Sequence, residues 1–314
     1  MMLHRSSLFV FALVASTLCA SPAWAELRVV TTTTDLGWIA HVVGGDRIHV
    51  DTICAGNQDP HFLQARPSYM VTLSRADLLV AVGLELEVGW LPALIQGARR
   101  PAINPGRPGY LEAATAIQPI DVPVGGVDRS RGDIHPFGNP HFWLDPLNVK
   151  LAARAIADRL AQLDPADAPV FRANLATLNG RIDRRMQRWQ ATLAPYRGTK
   201  IASYHATFNY FARRFGLQQV GYLEDRPGIP PSPGHLVDLV RQMRAAHARV
   251  ILHENFYDPA TSRVVAERAD AQVLLLPVSI GGAPATSSYE RLLDLIVGQV
   301  VAALGPAQTA AAHP

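Results

Sequence analysis

Cysteine is scarce in this chain, which has two, Cys19 and Cys54, in 314 residues. Cys19 lies in a segment that we expect to be removed, so the mature protein would keep one thiol. A single thiol excludes an intramolecular disulfide, even in an oxidising compartment. Stability must therefore come from packing, and a chain of this length with 48% hydrophobic residues can bury two domain-sized cores.

Long hydrophobic runs are absent beyond the N-terminus. No later stretch reaches the roughly 18 uninterrupted apolar residues that a membrane-spanning helix requires. The N-terminus itself has Arg5, an apolar run from Leu8 to Leu18, and the small-x-small triplet Ala23-Trp24-Ala25. This pattern predicts a secretory signal peptide over residues 1–25, cleaved near Ala25. We expect a soluble exported protein, most simply periplasmic.

A large excess of one charge is missing as well. The 29 basic and 26 acidic residues give a formal net charge of +3, and the two signs are interspersed. Clusters such as Arg184, Arg185 and Arg188 suit a solvated helix face better than the basic stripe of a nucleic-acid-binding protein. We expect no nucleic-acid partner.

Several catalytic signatures are also absent. The chain has no His-Glu-x-x-His pair, no Gly-x-Ser-x-Gly turn and no glycine-rich phosphate loop. These are the marks of zinc proteases, serine hydrolases and nucleotide-binding enzymes respectively. We therefore predict that the protein is not an enzyme.

Three of the eleven histidines stand in distinctive contexts, namely Asp59-Pro60-His61, Asn139-Pro140-His141 and Tyr204-His205. A preceding proline holds each of the first two on a stiff loop. Neutral imidazole is a common ligand for borderline-soft divalent ions, and three nitrogens with one oxygen form a normal tetrahedral zinc shell. The sequence therefore predicts that His61, His141 and His205 converge on one metal ion.

Short aliphatic runs alternate with helical patterns along the chain, which predicts an α/β fold of two βα lobes, each with a mainly parallel sheet. The predicted strands are Arg28 to Thr32, Ile48 to Ile53, Leu78 to Val82, Lys200 to Ser203, Gln219 to Tyr222, Val250 to Leu252 and Val273 to Leu276. The predicted helices of the lobes are Leu36 to Val43, Arg66 to Ser74, Trp90 to Gly97, Phe208 to Phe215, His235 to Ala246 and Pro259 to Ala269.

The middle of the chain predicts a longer helix, which follows a helix from Leu147 to Leu163. Apolar residues recur at steps of three and four from Phe171 to Leu193, the spacing of one helix stripe. A helix from Pro165 to Ala194 would be about 45 Å long and could join both lobes. Two shorter helices broken near Gly180 are the alternative, since an interior glycine costs only about 1 kcal/mol. The predicted division is a first lobe 26–164, a linking helix 165–195 and a second lobe 196–308, with the metal site in the cleft between the lobes.

The order of these segments resembles a known family. The most specific segment is Asn139-Pro140-His141-Phe142-Trp143-Leu144-Asp145-Pro146, and the strand Leu27 to Thr32, the loop before His61 and the run Val250-Ile251-Leu252-His253-Glu254 add to it. Together they resemble the ZnuA/TroA-like metal-binding solute-binding proteins of ABC transporters, over nearly the whole mature chain. The resemblance implies a monomer that captures Zn²⁺, or less readily Mn²⁺ or another divalent metal. It also implies delivery of the metal to a permease driven by an ATPase.

One departure from the family concerns the fourth ligand. Family members usually supply a carboxylate just after a late apolar strand, but Val273 to Gly282 contains no acid. We expect Glu254, at the end of a predicted strand, to take the place of that carboxylate as the fourth ligand, because the carboxyl ends of strands in open α/β sheets face the ligand crevice. The alternatives are a carboxylate that only fixes its own loop, a water molecule, or an open position.

Other functions stay open at this point. A zinc hydrolase could use the same three histidines with Glu254 as general base, and a metal buffer, a chaperone or an adhesin-like surface protein would need no transporter. His135 lies close before the strongest motif and could gate the site or orient a ligand, and we interpret it as a residue outside the ligand set. The proline-rich segment 226–234 predicts a stiff loop near the cleft or on the surface that faces the transporter.

Overall fold

The computed structural model describes residues 26–125, 135–226 and 228–306. The predicted signal peptide, Pro227 and residues 307 and 308 of the predicted second lobe lie outside this part. The first lobe has four strands and three helices. They are β1 (Leu27–Thr33), α1 (Thr34–Gly44), β2 (Ile48–Cys54), α2 (Pro67–Ser74), β3 (Leu78–Ala81), α3 (Leu91–Ala98) and β4 (Tyr110–Glu112). The strands are parallel, in the order β2-β1-β3-β4.

Two helices, α4 (Pro146–Leu163) and α5 (Ala168–Leu193), lead into the second lobe. That lobe repeats the arrangement of the first, with parallel strands in the order β6-β5-β7-β8. Its elements are β5 (Lys200–Ser203), α6 (Asn209–Phe215), β6 (Gln218–Tyr222), α7 (Pro233–Ala246), β7 (Val250–Glu254), α8 (Ala260–Ala269), β8 (Gln272–Leu276) and α9 (Tyr289–Leu304). The predicted fold of two parallel βα lobes is confirmed.

The two sheets place their ligand crevices at equivalent points. In the first sheet, β2 lies on one side of β1 and β3 lies on the other side, so the strand order reverses between β1 and β3. In the second sheet, the strand order reverses in the same way between β5 and β7. Ligands of open α/β sheets bind beyond the carboxyl ends of the strands at such a point. His205 follows β5, and Glu254 is the last residue of β7.

Helix α5 is continuous through Gly180, so the predicted long helix is confirmed and the break is absent. Its 26 residues give a length of about 39 Å. Near its start, the Asn174 amide donates to the Val43 carbonyl of α1 at 3.0 Å, and near its end the Trp189 indole donates to Asp294 of α9 at 2.8 Å. Helix α5 therefore contacts both lobes through side-chain hydrogen bonds.

One hydrophobic core runs through both lobes, which limits their freedom to hinge. Phe142, Phe171, Phe208, Leu252 and Ile296 all belong to a single buried cluster that includes residues of both sheets and of α5. Two smaller clusters fill the outer sides of the lobes. Relative motion of the lobes would have to disrupt close-packed apolar contacts.

One element differs from the sequence prediction. Helix α9 is absent from the predicted elements, although Ser288 caps its N-terminus and Leu292, Leu293, Ile296 and Val300 follow helical spacing. The proline- and glycine-rich segment from Ile103 to Asp133 predicts strand fragments and loops, and within it the short strand β4 pairs with β3. Within the described residues, no helix combines the length and the apolar character needed to cross a membrane.

Candidate metal centre

His61 and His141 are held by the same local device. The Asp59 Oδ1 atom accepts from the backbone N–H of His61 at 2.9 Å and lies 2.7 Å from its Nδ1. The Asn139 Oδ1 atom does the same for His141, at 2.9 Å from each nitrogen. Because a side-chain oxygen accepts at Nδ1, that nitrogen holds the ring proton and Nε2 keeps its lone pair for a ligand.

His205 is oriented from another part of the chain. Its Nδ1 lies 2.7 Å from Glu224 Oε2, and the other oxygen of Glu224 accepts from the Gly228 backbone N–H at 2.8 Å. The Nε2 atom of His205 is buried without a hydrogen-bond partner in the described structure. A buried polar atom with no partner is uncommon, and here it marks the side of the ring that faces the other histidines.

The three imidazoles lie together in the cleft between the lobes. His61, His141 and His205 each offer a ligand atom, and these atoms are all within 4.8 Å of one another. The residues are 6%, 3% and 4% exposed. The ring centroids of His61 and His141 are 5.1 Å apart, and those of His141 and His205 are 5.0 Å apart. Such a group can hold one metal ion, and the ligand role of each histidine stays a prediction.

The surroundings favour neutral His141. Burial lowers its pKa well below the ordinary value, and the neighbouring His205, His61 and His135 lower it further. For His205, burial also lowers the pKa, but the Glu224 hydrogen bond and the charge of Glu254 outweigh this effect, so the net shift is upward. His205 is thus the stronger base of the two, and metal binding competes with protonation at both rings.

Glu254 lies near His205 but outside the group of three ligand atoms. The residue is fully buried, and burial raises the pKa of its carboxyl to about 7, with the charge of His205 opposing that shift. Both of its carboxylate oxygens lack a hydrogen-bond partner of normal geometry among the described residues, although the Thr207 side chain lies near enough to lower the carboxyl pKa. Glu87, an equally buried carboxylate in the first lobe, instead accepts from the Thr32 hydroxyl and from the N–H groups of Val82 and Gly83. The role of Glu254 as fourth ligand stays a prediction.

His135 contacts His61 at the edge of the centre, and its place outside the ligand set stays a prediction. Its Nε2 is 3.2 Å from the Nε2 of His61, and the two ring centroids are 5.3 Å apart. A cavity of about 290 Å³ lies beside His135, His141 and His205. A fourth, half-buried histidine therefore borders the three buried ones but lies, like Glu254, outside their group of ligand atoms.

The residues that orient the rings are only partly visible in the sequence. Asp59 and Asn139 stand two positions before a histidine, and an Asx side chain can bond a backbone N–H two residues on, so this signal is present. Glu224 has no such signal, because it lies 19 residues after His205. The loop that begins at Arg226 lies near the cleft, since Gly228 contacts Glu224.

The strongest sequence motif also joins the lobes. Asp145 caps α4 by accepting from the Leu147 N–H at 2.9 Å, and its two oxygens each accept from Arg214 of α6 at 2.7 Å. Trp143 donates from its indole to the Val278 carbonyl at 2.7 Å. These contacts fix His141 relative to the second lobe.

Comparison with known proteins decides the family. The chain matches the family described as zinc-uptake complex component A, periplasmic (ZnuA), over residues 29–303. It belongs to this family. The resemblance inferred from the motifs is confirmed.

Relatives within this family differ in the metal that their names give. The high-affinity zinc uptake system protein ZnuA of Yersinia pestis is 26% identical, over 96% of this chain and all of that protein. The manganese ABC transporter substrate-binding lipoprotein PsaA of Streptococcus pneumoniae is 24% identical, over 79% of this chain and 78% of that protein. A crystal structure of a ZnuA deletion mutant with zinc bound has a TM-score of 0.74, 24% identity and coverage of 90% of this chain and 99% of that one. At that identity the structure supports the fold alone.

Proposed function

We propose that this protein is the extracytoplasmic solute-binding component of an ABC importer and that it captures Zn²⁺ through the Nε2 atoms of His61, His141 and His205. The observation on which this rests is the cluster of three buried imidazoles whose Nδ1 atoms all face an oxygen acceptor. That pattern leaves the Nε2 lone pairs of three rings whose ligand atoms lie within 4.8 Å of one another. Outer acceptors of this kind fix the ring orientation and raise the basicity of metal-bound histidine.

Zinc is the metal that this site suits best. Three nitrogens favour zinc over manganese, which prefers a shell richer in oxygen. The three histidines leave one position of a tetrahedral shell for a further ligand, which the sequence assigns to Glu254. Relatives named for zinc and for manganese both occur, so the donor set of this chain is the better guide.

The transport partners follow from the family. Relatives are named as components of a zinc uptake system and of a manganese ABC transporter, which supports a membrane permease and an ATPase as partners. We propose that the protein acts as a periplasmic monomer after cleavage near Ala25. The core shared by both lobes supports delivery by local rearrangement of loops at the cleft rather than by wide opening.

A transport role accounts for the cleft better than the hydrolase alternative. The family assignment supports a carrier. The carboxylate that a hydrolase would need as general base, Glu254, is fully buried at the end of β7. A general base must reach the attacking water and the substrate. We therefore keep the proposal that the protein is not an enzyme.

Metal binding by the full exported chain tests this proposal. Zinc and manganese affinities would be measured by competition with a chromophoric chelator for the wild type, His141→Ala and the control His49→Ala, whose side chain is 58% exposed on β2. We expect one zinc per chain, weaker manganese binding, a loss of at least about 100-fold in His141→Ala and no change in the control. A wild type that binds neither metal, or equal affinity in His141→Ala, would contradict the proposal.

A further inference from the structure

The contact between His61 and His135 has the spacing of two ligands on one ion. Their Nε2 atoms are 3.2 Å apart. Two nitrogens bound to tetrahedral zinc, each at about 2.05 Å from the ion, lie about 3.3 Å from each other. The pair forms a hydrogen bond between the two rings, and its length also matches the separation of two ligands on one zinc ion.

The protonation of His61 points the same way. Because Asp59 Oδ1 lies 2.7 Å from its Nδ1, that nitrogen carries the proton and Nε2 presents a lone pair to His135. His61 Nε2 thus faces His135 as an acceptor, so His135 donates to it from its own Nε2 and must lose that proton when it binds a metal.

The backbone holds His135 at this place by a short turn. The Gly138 N–H donates to the His135 carbonyl at 3.2 Å, and the next residue, Asn139, donates from its N–H to the Ile120 carbonyl at 2.8 Å. Gly138 has φ +108°, and a Cβ there would lie 2.8 Å from the Ile120 carbonyl oxygen, so only glycine fits. His135 is therefore tied to Asn139, the residue that orients His141.

His135 also differs from the other three histidines in exposure. It is half-buried at the rim of the cavity, whereas His61, His141 and His205 are buried. Its ring centroid is 6.2 Å from that of His141, so it stands slightly outside the inner three. Movement of the short turn at His135 can bring its ring closer to a bound ion without movement of either lobe.

We propose that His135, rather than Glu254, supplies the fourth ligand, so that zinc is bound by four imidazoles. This inference rests on the proposed function. Four neutral ligands leave the full charge of the ion, and two carboxylates balance it: Asp59 behind His61 and Glu224 behind His205. A shell of four nitrogens discriminates against manganese more strongly than three nitrogens with a carboxylate.

The test counts imidazoles on the metal. X-ray absorption of the zinc-loaded full chain, together with the visible spectrum of its cobalt form, would be recorded for the wild type, His135→Ala, Glu254→Gln and the control His49→Ala. We expect four imidazoles in the wild type, Glu254→Gln and His49→Ala, and three with an added oxygen in His135→Ala. The zinc affinity of His135→Ala should fall at least about 10-fold. Loss of a residue that only orients a ligand already costs about 10- to 100-fold in metal affinity, and loss of a direct ligand should cost no less.

The outcomes separate this inference from the proposed function. If His135→Ala binds zinc with wild-type affinity and imidazole count while His141→Ala does not bind, the four-histidine shell is wrong and the capture site stands. If Glu254→Gln loses an oxygen ligand, the fourth position belongs to Glu254 and the inference is also wrong. A wild type that binds no zinc would refute both. Circular dichroism of each metal-free variant checks that the fold is retained.

Discussion

Tyr257 and Asp59 form a hydrogen bond across the cleft, in which the Tyr257 hydroxyl donates to Asp59 Oδ2 at 2.6 Å. The other oxygen of Asp59 accepts from His61. Tyr257 lies just after β7 in the second lobe, and His61 lies in the first. The orientation of a proposed ligand in one lobe therefore depends on a residue of the other lobe.

Removal of this hydroxyl should weaken zinc binding. A hydrogen bond to a charged group contributes about 1.5 to 3 kcal/mol, and part of it holds His61 in the ligand orientation. We expect Tyr257→Phe to bind zinc about 3- to 10-fold more weakly, mainly through faster release. Stopped-flow transfer of zinc to a chelator measures both effects. Tyr69→Phe, in the outer core of the first lobe, is the matched control. An unchanged rate of zinc release from Tyr257→Phe would show that Asp59 orients His61 without help from Tyr257.

Glu224 should contribute to zinc affinity through His205. Glu224→Ala removes the acceptor at Nδ1, and loss of such a partner typically costs about 10- to 100-fold in metal affinity. Glu224→Gln keeps an oxygen acceptor without the charge, so its loss should be smaller. Competition titration of both variants, beside the exposed control Glu267→Gln, measures this order. Equal affinity in Glu224→Ala and wild type would mean that the contact does not affect binding.

Gly180 offers a test of the continuous linking helix. A Cβ at this position would meet only the end of the Arg184 side chain, at 3.5 Å. Alanine is favoured over glycine inside a helix by about 0.5 to 1 kcal/mol, so Gly180→Ala should raise the thermal unfolding midpoint. Gly44→Ala in α1 should lower it, because its Cβ would lie 2.2 Å from Ile48 Cδ1. Destabilisation by Gly180→Ala would indicate that α5 needs a break there.

Asp35 should make stability depend on pH. The carboxyl is buried in α1, its Oδ1 accepts from the Ile280 N–H at 3.1 Å, and burial raises its pKa to about 7. An acid whose pKa is higher in the folded than in the unfolded chain binds more protons when folded. Stability therefore falls as pH rises from about 4 to about 7.

Asp35→Asn should remove this loss of stability at higher pH, because the amide is uncharged and its oxygen can still accept from the Ile280 N–H. We expect it to be more stable than wild type by about 1 to 3 kcal/mol at pH 8, with a smaller difference at pH 5. Urea unfolding at both values measures this, with exposed Asp46→Asn as control. A difference that is largest at pH 5 would contradict the assignment.

The sequence by itself determined the features that depend on neighbouring residues. Strand and helix periodicity is local, so seven of the strands and helix α5 are predicted near their observed bounds. The Asx-Pro-His device acts within three residues, so the sequence alone distinguishes His61 and His141 from the other histidines. Helix α9 is missing from the prediction although its apolar spacing is present, which shows that a local signal can also be overlooked.

Only the tertiary structure decided which distant residues contact the histidines of the centre and the side chains that orient them. Glu224 contacts His205 across 19 residues, His135 contacts His61 across 74, and Tyr257 contacts Asp59 across 198. No periodicity or motif spans such separations, because these contacts arise where loops from distant parts of the chain meet. The fourth position of the metal shell depends on which side chain reaches the three histidines. The sequence predicts Glu254 there, the folded chain brings His135 to within 3.2 Å of His61, and the choice between them stays a proposal.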